Sequence, residues 1–372
     1  MGAPLRILHV VVNMNRGGAE TLIMNLYRNI NRAKIQFDFL TFKPGVFDTE
    51  IMNMGGKVHR IPYITDVGHI RFIRKLGQFF KRNQHYKVVH SHMDKMSGFI
   101  LKYAEQARIP IRIAHSHNTE SEGGFLARAY KWYGGSHILS SATHLYACSN
   151  KAAKWLFGNK STEAYILKNG IEIDKFTFSI NVREKVRREL QLVEDTFVLG
   201  HVGRFSHQKN HLYLLDLFSA VTKKVSNTKL VLVGDGLLRD EIETKIKQLN
   251  LNDKVKLLGM RADTNRLLQA FDLFVFPSLH EGLPVTLIEA QGTGLPCLIS
   301  NRITREVDMG TGLVHYLPLT DQASWINAIM RCKSETRTRE IAQTALSQNG
   351  YNIKKTAERI EESYLALGET AI

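Results

Sequence analysis

Short apolar runs alternate with amphipathic stretches along the whole chain. The first run, Ile7-Leu8-His9-Val10-Val11-Val12, is rich in β-branched residues. A glycine pair follows, then ETLIMNLYRNI, whose apolar residues recur with the period of a helix. Runs at 36–42, 57–61, 87–90, 111–115 and 144–147 repeat the strand theme, with helical patterns over 70–82 and 97–107 between them. After residue 177 the pattern restarts, with strand-like runs at 197–203, 229–234, 254–259, 273–278 and 296–300, each followed by a segment that reads as helix. Strands apolar on both faces and separated by helices predict parallel sheets wound βαβ by βαβ. The expected fold class is α/β: two doubly wound, Rossmann-like parallel-sheet domains facing each other across a cleft. A strand-like AYILKNG gives way to a linker and then to REKVRREL, which places the boundary between domains 1–176 and 177–351. The last segment, 352–372, reads as a helix free to pack on either domain, with packing back on the first as the assignment carried forward.

Length supports two domains, because 372 residues exceed what one core ordinarily organises. A hydrophobic share of 44% excludes extensive disorder. Charge adds a distinction between the halves. Residues 1–177 hold 25 Lys/Arg against 12 Asp/Glu, a net of +13, and the rest contributes only +2 of the total +15. An anionic partner or surface is therefore expected for the first half alone. Cys148, Cys297 and Cys332 are too scattered for a zinc site or a disulfide framework and suit a reducing compartment. The N-terminal apolar run lacks the marks of a signal peptide, and no stretch reaches the ~18 apolar residues needed to span a bilayer. The expected location is cytoplasmic, with peripheral attachment to the inner face of the plasma membrane left open.

Ligands of open parallel sheets bind at the carboxyl ends of the strands, so the βα loops are where chemistry is sought. The loop after the first strand reads Asn15-Arg16-Gly17-Gly18-Ala19-Glu20. Its glycines permit close backbone approach and the following helix start offers N–H groups to an anion, but GxGxxG is absent. His90-Ser91-His92 and His115-Ser116-His117-Asn118 each end a predicted strand. An HxH pair puts both rings on one face, which suits zinc, histidines paired to backbone, or a polar role toward a ligand. In HVGRFSHQKN, Arg204 and Lys209 flank a loop and form a cation pair suited to a diphosphate, or an ordinary surface pair. The segment FPSLHEGLPVTLIEA carries Glu281 and Glu289 eight residues apart around a Gly-Leu-Pro turn. Carboxylates so placed accept hydrogen bonds from vicinal sugar hydroxyls, or serve as a hydrolase acid/base pair. Burying Glu289 among apolar helix neighbours is costly unless a ligand satisfies it.

Strand-GGAE, KNGIEIDKF, GHVGRFSHQKN, LVGDG, KLLG and FDLFVFPSLHEGLPVTLIEAQGTGLPCLIS occur in that order. Together they resemble glycosyltransferase family 4, the retaining nucleotide-sugar enzymes of the GT-B fold, and most of all those of bacterial exopolysaccharide or capsule assembly. The resemblance covers nearly the whole chain, and the E-x7-E segment and the GRFSHQKN loop are its specific parts. It implies that Glu289 holds the ribose hydroxyls and that Glu281, with the amides of Gly282, Leu283, Pro284 and Val285 nearby, meets the donor sugar. It further implies that Arg204, Lys209 and the amides of Thr286 and Leu287 stabilise the diphosphate. Met260 and Arg261 then lie near the base, and Gly17 and Gly18 near the donor phosphate. The family histidine that contacts the donor sugar falls in HSHN, with His117 preferred to His115.

The implied donor is a nucleotide sugar, a UDP-sugar first, with hexosyl or N-acetylhexosaminyl transfer to a saccharide or lipid-linked acceptor. No cofactor and no metal are expected. Where the family often has two glycines before a glutamate, this chain reads Asn301-Arg302-Ile303-Thr304-Arg305-Glu306, which leaves donor preference open. The basic helix 70–82, with Ile73, Leu76, Phe79 and Phe80 on one stripe, is expected either to rest on an anionic leaflet or to pack on the sheet. A GT-B epimerase is the alternative enzyme. Nucleic-acid binding is not expected, since no reader motif accompanies the charge.

Overall fold

The structure is a computed structural model and describes residues 3–121, 123–335, 339 and 343–370. Two compact units divide the chain: one runs to Gly170 and resumes at Asn352, and the other spans Ile171–Tyr351. The first contains seven parallel strands: β1 (Leu5–Val10), β2 (Ile35–Thr41), β3 (Val58–Arg60), β4 (Val88–Ser91), β5 (Ile111–Ser116), β6 (His144–Ala147) and β7 (Tyr165–Ile166). Their order across the sheet is β3-β2-β1-β4-β5-β6-β7. The second contains six: β8 (Phe197–Val202), β9 (Thr228–Val233), β10 (Val255–Leu257), β11 (Leu273–Phe276), β12 (Cys297–Ser300) and β13 (Val314–Leu317), ordered β10-β9-β8-β11-β12-β13. The expected pair of doubly wound parallel-sheet domains is what the chain forms. Strand β13 has no counterpart among the sequence-based strands: VHYL at the sheet edge is only half-buried beyond Val314 and lacks an apolar run.

Each sheet reverses its winding once, between β1 and β4 in the first unit and between β8 and β11 in the second. At such a switch point the loops leaving neighbouring strands turn to opposite faces and open a crevice. Register places His9 of β1 beside His90 of β4, and Leu273 and Phe274 of β11 beside Leu199 and Gly200 of β8.

The expected domain boundary is corrected. The boundary falls at Gly170, not after residue 176, because Ile173 and Phe176 are buried and Gly292, in the helix Val285–Gly292, lies against Phe176 and Ile171. The C-terminal helix, Ile353–Thr370, belongs to the first unit. Its Ile353, Ala357, Ile360 and Tyr364 enter that unit's core with Phe37, Phe39 and Tyr27, and Glu361 accepts from the backbone N–H of Asn31 at 2.9 Å.

The basic helix over 70–82 begins earlier than expected. It runs Ile64–Arg82 with a kink at Gly68, which has φ 74°. Leu76, Phe79 and Phe80 are buried together with Phe72, and Ile73 is half-buried, so the stripe serves this unit's own core. Arg71, Arg74, Lys75, Lys81 and Arg82 remain exposed. Ile70 of this helix is 82% exposed, and the helix Phe125–Gly135 adds Phe125, 84% exposed, and Trp132, 68% exposed. Among the described residues no helix is long and apolar enough to cross a membrane.

Candidate active site

In the second unit, the loops leaving β8 and β11 are stitched together by hydrogen bonds. Leu279 N–H donates to Gln208 O at 2.8 Å, Gln208 Nε2 to His280 O at 2.8 Å, and Asn210 Nδ2 to Pro277 O at 3.2 Å. Asn210 adopts the left-handed conformation (φ 57°, ψ 43°), which ends the Ser206–Lys209 turn and starts the next helix. On the other side, the β8 loop rests on the loops after β9 and β10. Phe205 N–H donates to Asp235 O at 3.0 Å, and Gly234 N–H to Gly259 O at 2.9 Å. Gly234 (φ 142°) is required there, since a Cβ would come within 2.0 Å of Gly203 O.

That frame brings Lys209 to Glu281. Nζ donates to Oε1 at 2.6 Å, with side chains only 15% and 9% exposed, and the ammonium sits 4.7 Å from the Phe276 ring centroid. Arg204 lies on the same loop, exposed, with no side-chain hydrogen bond or ion pair among the described residues. Past the Gly282-Leu283-Pro284 turn, the helix Val285–Gly292 carries Thr286, Leu287 and Glu289. Glu289 is buried and makes no hydrogen bond or ion pair to the described residues. Burial without compensation pushes its carboxyl up to about 7. Thr286 Oγ1 and Ser278 Oγ are likewise buried without partners. The site therefore holds polar groups that the protein itself does not satisfy, which is what a polyhydroxylated ligand supplies. Met260 is 61% exposed after Gly259, and Arg261 is held in a bidentate pair with Asp263 at 2.8 Å. The structure joins the β8, β9 and β10 loops with the β11 loop, so Arg204, Lys209, Met260, Arg261 and Glu281 lie on these loops and Glu289 on the helix that follows them.

The first unit gathers a different set. Gly17 caps the helix Gly18–Asn29 in an ordinary extended conformation (φ −121°), and a side chain on Gly18 would meet nothing within 4 Å. What these glycines contribute is small size, not an unusual backbone. Beside them His9, His90, His92, His115 and His117 stack across β1, β4 and β5. His9 Nδ1 and His92 Nε2 are 2.9 Å apart, His92 Nδ1 and His117 Nε2 2.8 Å, and His90 Nε2 and His115 Nδ1 3.0 Å. His90 Nδ1 meets the hydroxyl of Tyr364, from the C-terminal helix, at 2.6 Å. Burial drives every ring toward its neutral form, His9 and His117 to about 3 and the other three well below the usual histidine value. His115 is fully buried, whereas His117 keeps solvent access at the outer end of the stack.

Two trios, His9/His90/His92 and His92/His115/His117, present one nitrogen each within 4.8 Å, the proximity a metal ion needs. Their nitrogens are already largely engaged with one another. Sequence reasoning named neither His9 nor Tyr364 as part of this cluster. A lone polar residue inside ILHVVV was the one local signal for His9, and nothing local marks Tyr364.

The family description "Glycosyl transferase 4-like domain" matches residues 17–164, and "Glycosyl transferases group 1" matches 182–311. A Bacillus subtilis (strain 168) protein named as the glycosyltransferase EpsF is 39% identical over 368 residues, covering 96% of each chain. An Escherichia coli enzyme named UDP-Gal:alpha-D-GlcNAc-diphosphoundecaprenol alpha-1,3-galactosyltransferase is 26% identical, covering 97% of each. Among solved structures, Anabaena HepE in complex with UDP and glucose superposes with a TM-score of 0.81 at 22% identity, over 97% of this chain and 99% of that one. The chain belongs to glycosyltransferase family 4 and has the GT-B fold. These relatives support glycosyl transfer and lend nothing to the epimerase or to a hydrolase carboxylate pair.

Proposed function

We propose that this glycosyltransferase moves a hexosyl or N-acetylhexosaminyl group, with retention and without a metal, from a UDP-sugar to a saccharide or lipid-linked saccharide acceptor in exopolysaccharide or capsule assembly. The observation that carries the reading is the crevice between the β8 and β11 loops. There a buried, partnerless Glu289 shares one framework with the Lys209–Glu281 pair. UDP stands in the name of the Escherichia coli relative, as does a lipid-linked diphosphate acceptor. Anabaena HepE was solved with UDP and glucose.

In this reading Glu289 accepts from the ribose hydroxyls, which replace the water a buried carboxyl lacks. Arg204 and Lys209, with the first amides of the helix Val285–Gly292, face the diphosphate and do the work of a divalent cation. Glu281, held by Lys209, orients the donor sugar, and His117 is the neutral ring that the first unit offers to a substrate. The bond from the anomeric carbon to the β-phosphate oxygen breaks, its electron pair staying with the phosphate. The acceptor oxygen bonds to the carbon on the vacated face, and its proton passes to the departing phosphate. Lys209→Ala is expected to lower turnover by roughly 10²-fold at saturating donor, the cost of deleting one transition-state charge partner. Unchanged turnover removes Lys209 from the mechanism.

Peripheral membrane contact stays within the proposal on revised residues. With the stripe of Ile64–Arg82 buried, the apolar contribution passes to Phe125, Leu126, Trp132 and Tyr133. His69 Nδ1 and the Tyr130 hydroxyl, 2.6 Å apart, hold that helix next to the basic one.

A further inference from the structure

The histidine stack contains two separate hydrogen-bonded lines, and donor counting fixes the direction of one. Tyr364 is fully buried, and His90 Nδ1 is its one hydrogen-bond partner among the described residues. A buried hydroxyl left without an acceptor is costly. Phenol is also the better acid of the two groups, and imidazole nitrogen the better acceptor, as the 2.6 Å separation reflects. The hydroxyl therefore donates to His90 Nδ1. A neutral ring with Nδ1 accepting carries its proton on Nε2, so His90 donates to His115 Nδ1 across 3.0 Å. His115 in turn must carry its proton on Nε2, an atom that is buried and has no partner among the described residues.

The second line, His9–His92–His117, ends in unpartnered nitrogens at both extremes, His9 Nε2 and His117 Nδ1. Nothing at its ends fixes its direction. The two lines touch where the His115 and His117 rings pack with centroids 4.0 Å apart.

We propose that Tyr364 is a positioning residue which, through His90, fixes His115 as its Nε2–H tautomer, so that β5 ends in a directed hydrogen-bond donor for a substrate oxygen entering beside His117. The C-terminal segment thus contributes to the first unit's site from residue 364. The same count disfavours a metal at this point. His90 has no free lone pair, and that of His115 is spent on His90, so an ion would have to break both bonds. The substrate contact rests on the transferase reading above, whereas the tautomer assignment does not.

The test is histidine side-chain NMR on the full-length protein labelled with 15N-histidine, with His90→Gln and His115→Gln used to assign the signals. In the wild type, His90 and His115 are each expected to show a single Nε2–H pattern. Tyr364→Phe keeps the ring in the core and removes only the hydroxyl. It is expected to convert His90 and His115 to mixed or Nδ1–H patterns and to lower turnover about five- to tenfold, with a smaller change in donor KM. An Nδ1–H pattern at His90 in the wild type, signals unmoved by Tyr364→Phe, or stoichiometric metal on the purified protein would each overturn the assignment. If Tyr364→Phe fails to fold, the wild-type spectrum alone decides. Added UDP-sugar that shifts the His115 Nε2 signal when UDP does not identifies a sugar hydroxyl as the acceptor. A shift with both identifies a phosphate oxygen, and no shift with either removes the substrate contact. A chain with the expected spectrum but no sugar transfer sinks the transferase reading and leaves the relay standing.

Discussion

The two switch-point crevices of this protein manage buried polar groups in opposite ways. In the first unit, five imidazoles largely satisfy one another and are held neutral by burial. In the second, Lys209 and Glu281 form an ion pair, while burial pushes the Glu289 carboxyl up to about 7 and leaves it without a side-chain partner among the described residues. One crevice is a network of rings bonded to one another, with its few unpartnered nitrogens buried, and the other holds polar groups that the described residues leave unsatisfied. The difference shows that a shared architecture sets where chemistry sits and not how it is stabilised.

The largest expected effect follows from the neutral histidines. A ring whose folded value lies far below 6.5 stays neutral in the fold but takes up a proton once unfolded. Its stabilising contribution is therefore intact above pH ~6.5 and is lost as pH falls toward the folded value. Each such ring weakens the fold further as pH falls below 6.5, and five of them are gathered in one unit. The second unit carries two rings of this kind, His201 and His211, lowered to about 4 and about 2. Pulsed hydrogen exchange between pH 8 and 5 is expected to show the first unit opening near pH 5.5 while the second remains protected. Simultaneous opening of both units would break the contrast.

A smaller effect is expected at the surface. Replacing Phe125 and Trp132 together by Ser should reduce sedimentation with anionic liposomes at low salt severalfold, whereas Ile73→Ser should act through stability instead. Equal loss from both changes would return the membrane role to the basic helix. Charge alone favours the first unit for the proposed contact, and the liposome comparison decides which helix supplies its apolar part.

Most of the fold was legible because fully buried parallel strands leave continuous apolar runs, as at 197–203 and 273–278. Edge strand β13 was not, since a half-buried VHYL carries no such run. The second crevice could be read from sequence because its groups come from two compact segments whose residues keep fixed local spacing around a turn. The first could not. Its rings come from β1, β4 and β5 and its anchor from residue 364, and only tertiary pairing reveals that His9 and Tyr364 belong with two HxH motifs. That the stripe of 70–82 was left between lipid and core has the same origin. A helix that is apolar on one side and basic around it reads alike whether its apolar side meets lipid or its own sheet.

The central claim is that the second unit's crevice holds the donor nucleotide through Glu289, and calorimetric titration of UDP tests it most directly. Glu289→Ala deletes a buried carboxyl without a protein partner, so the fold should be kept and Tm should hold or rise. The account predicts saturable binding of UDP by the wild type and a loss of at least roughly tenfold in affinity for Glu289→Ala, the scale of a lost pair of hydrogen bonds to a carboxylate. Equal affinity in the two proteins would contradict it.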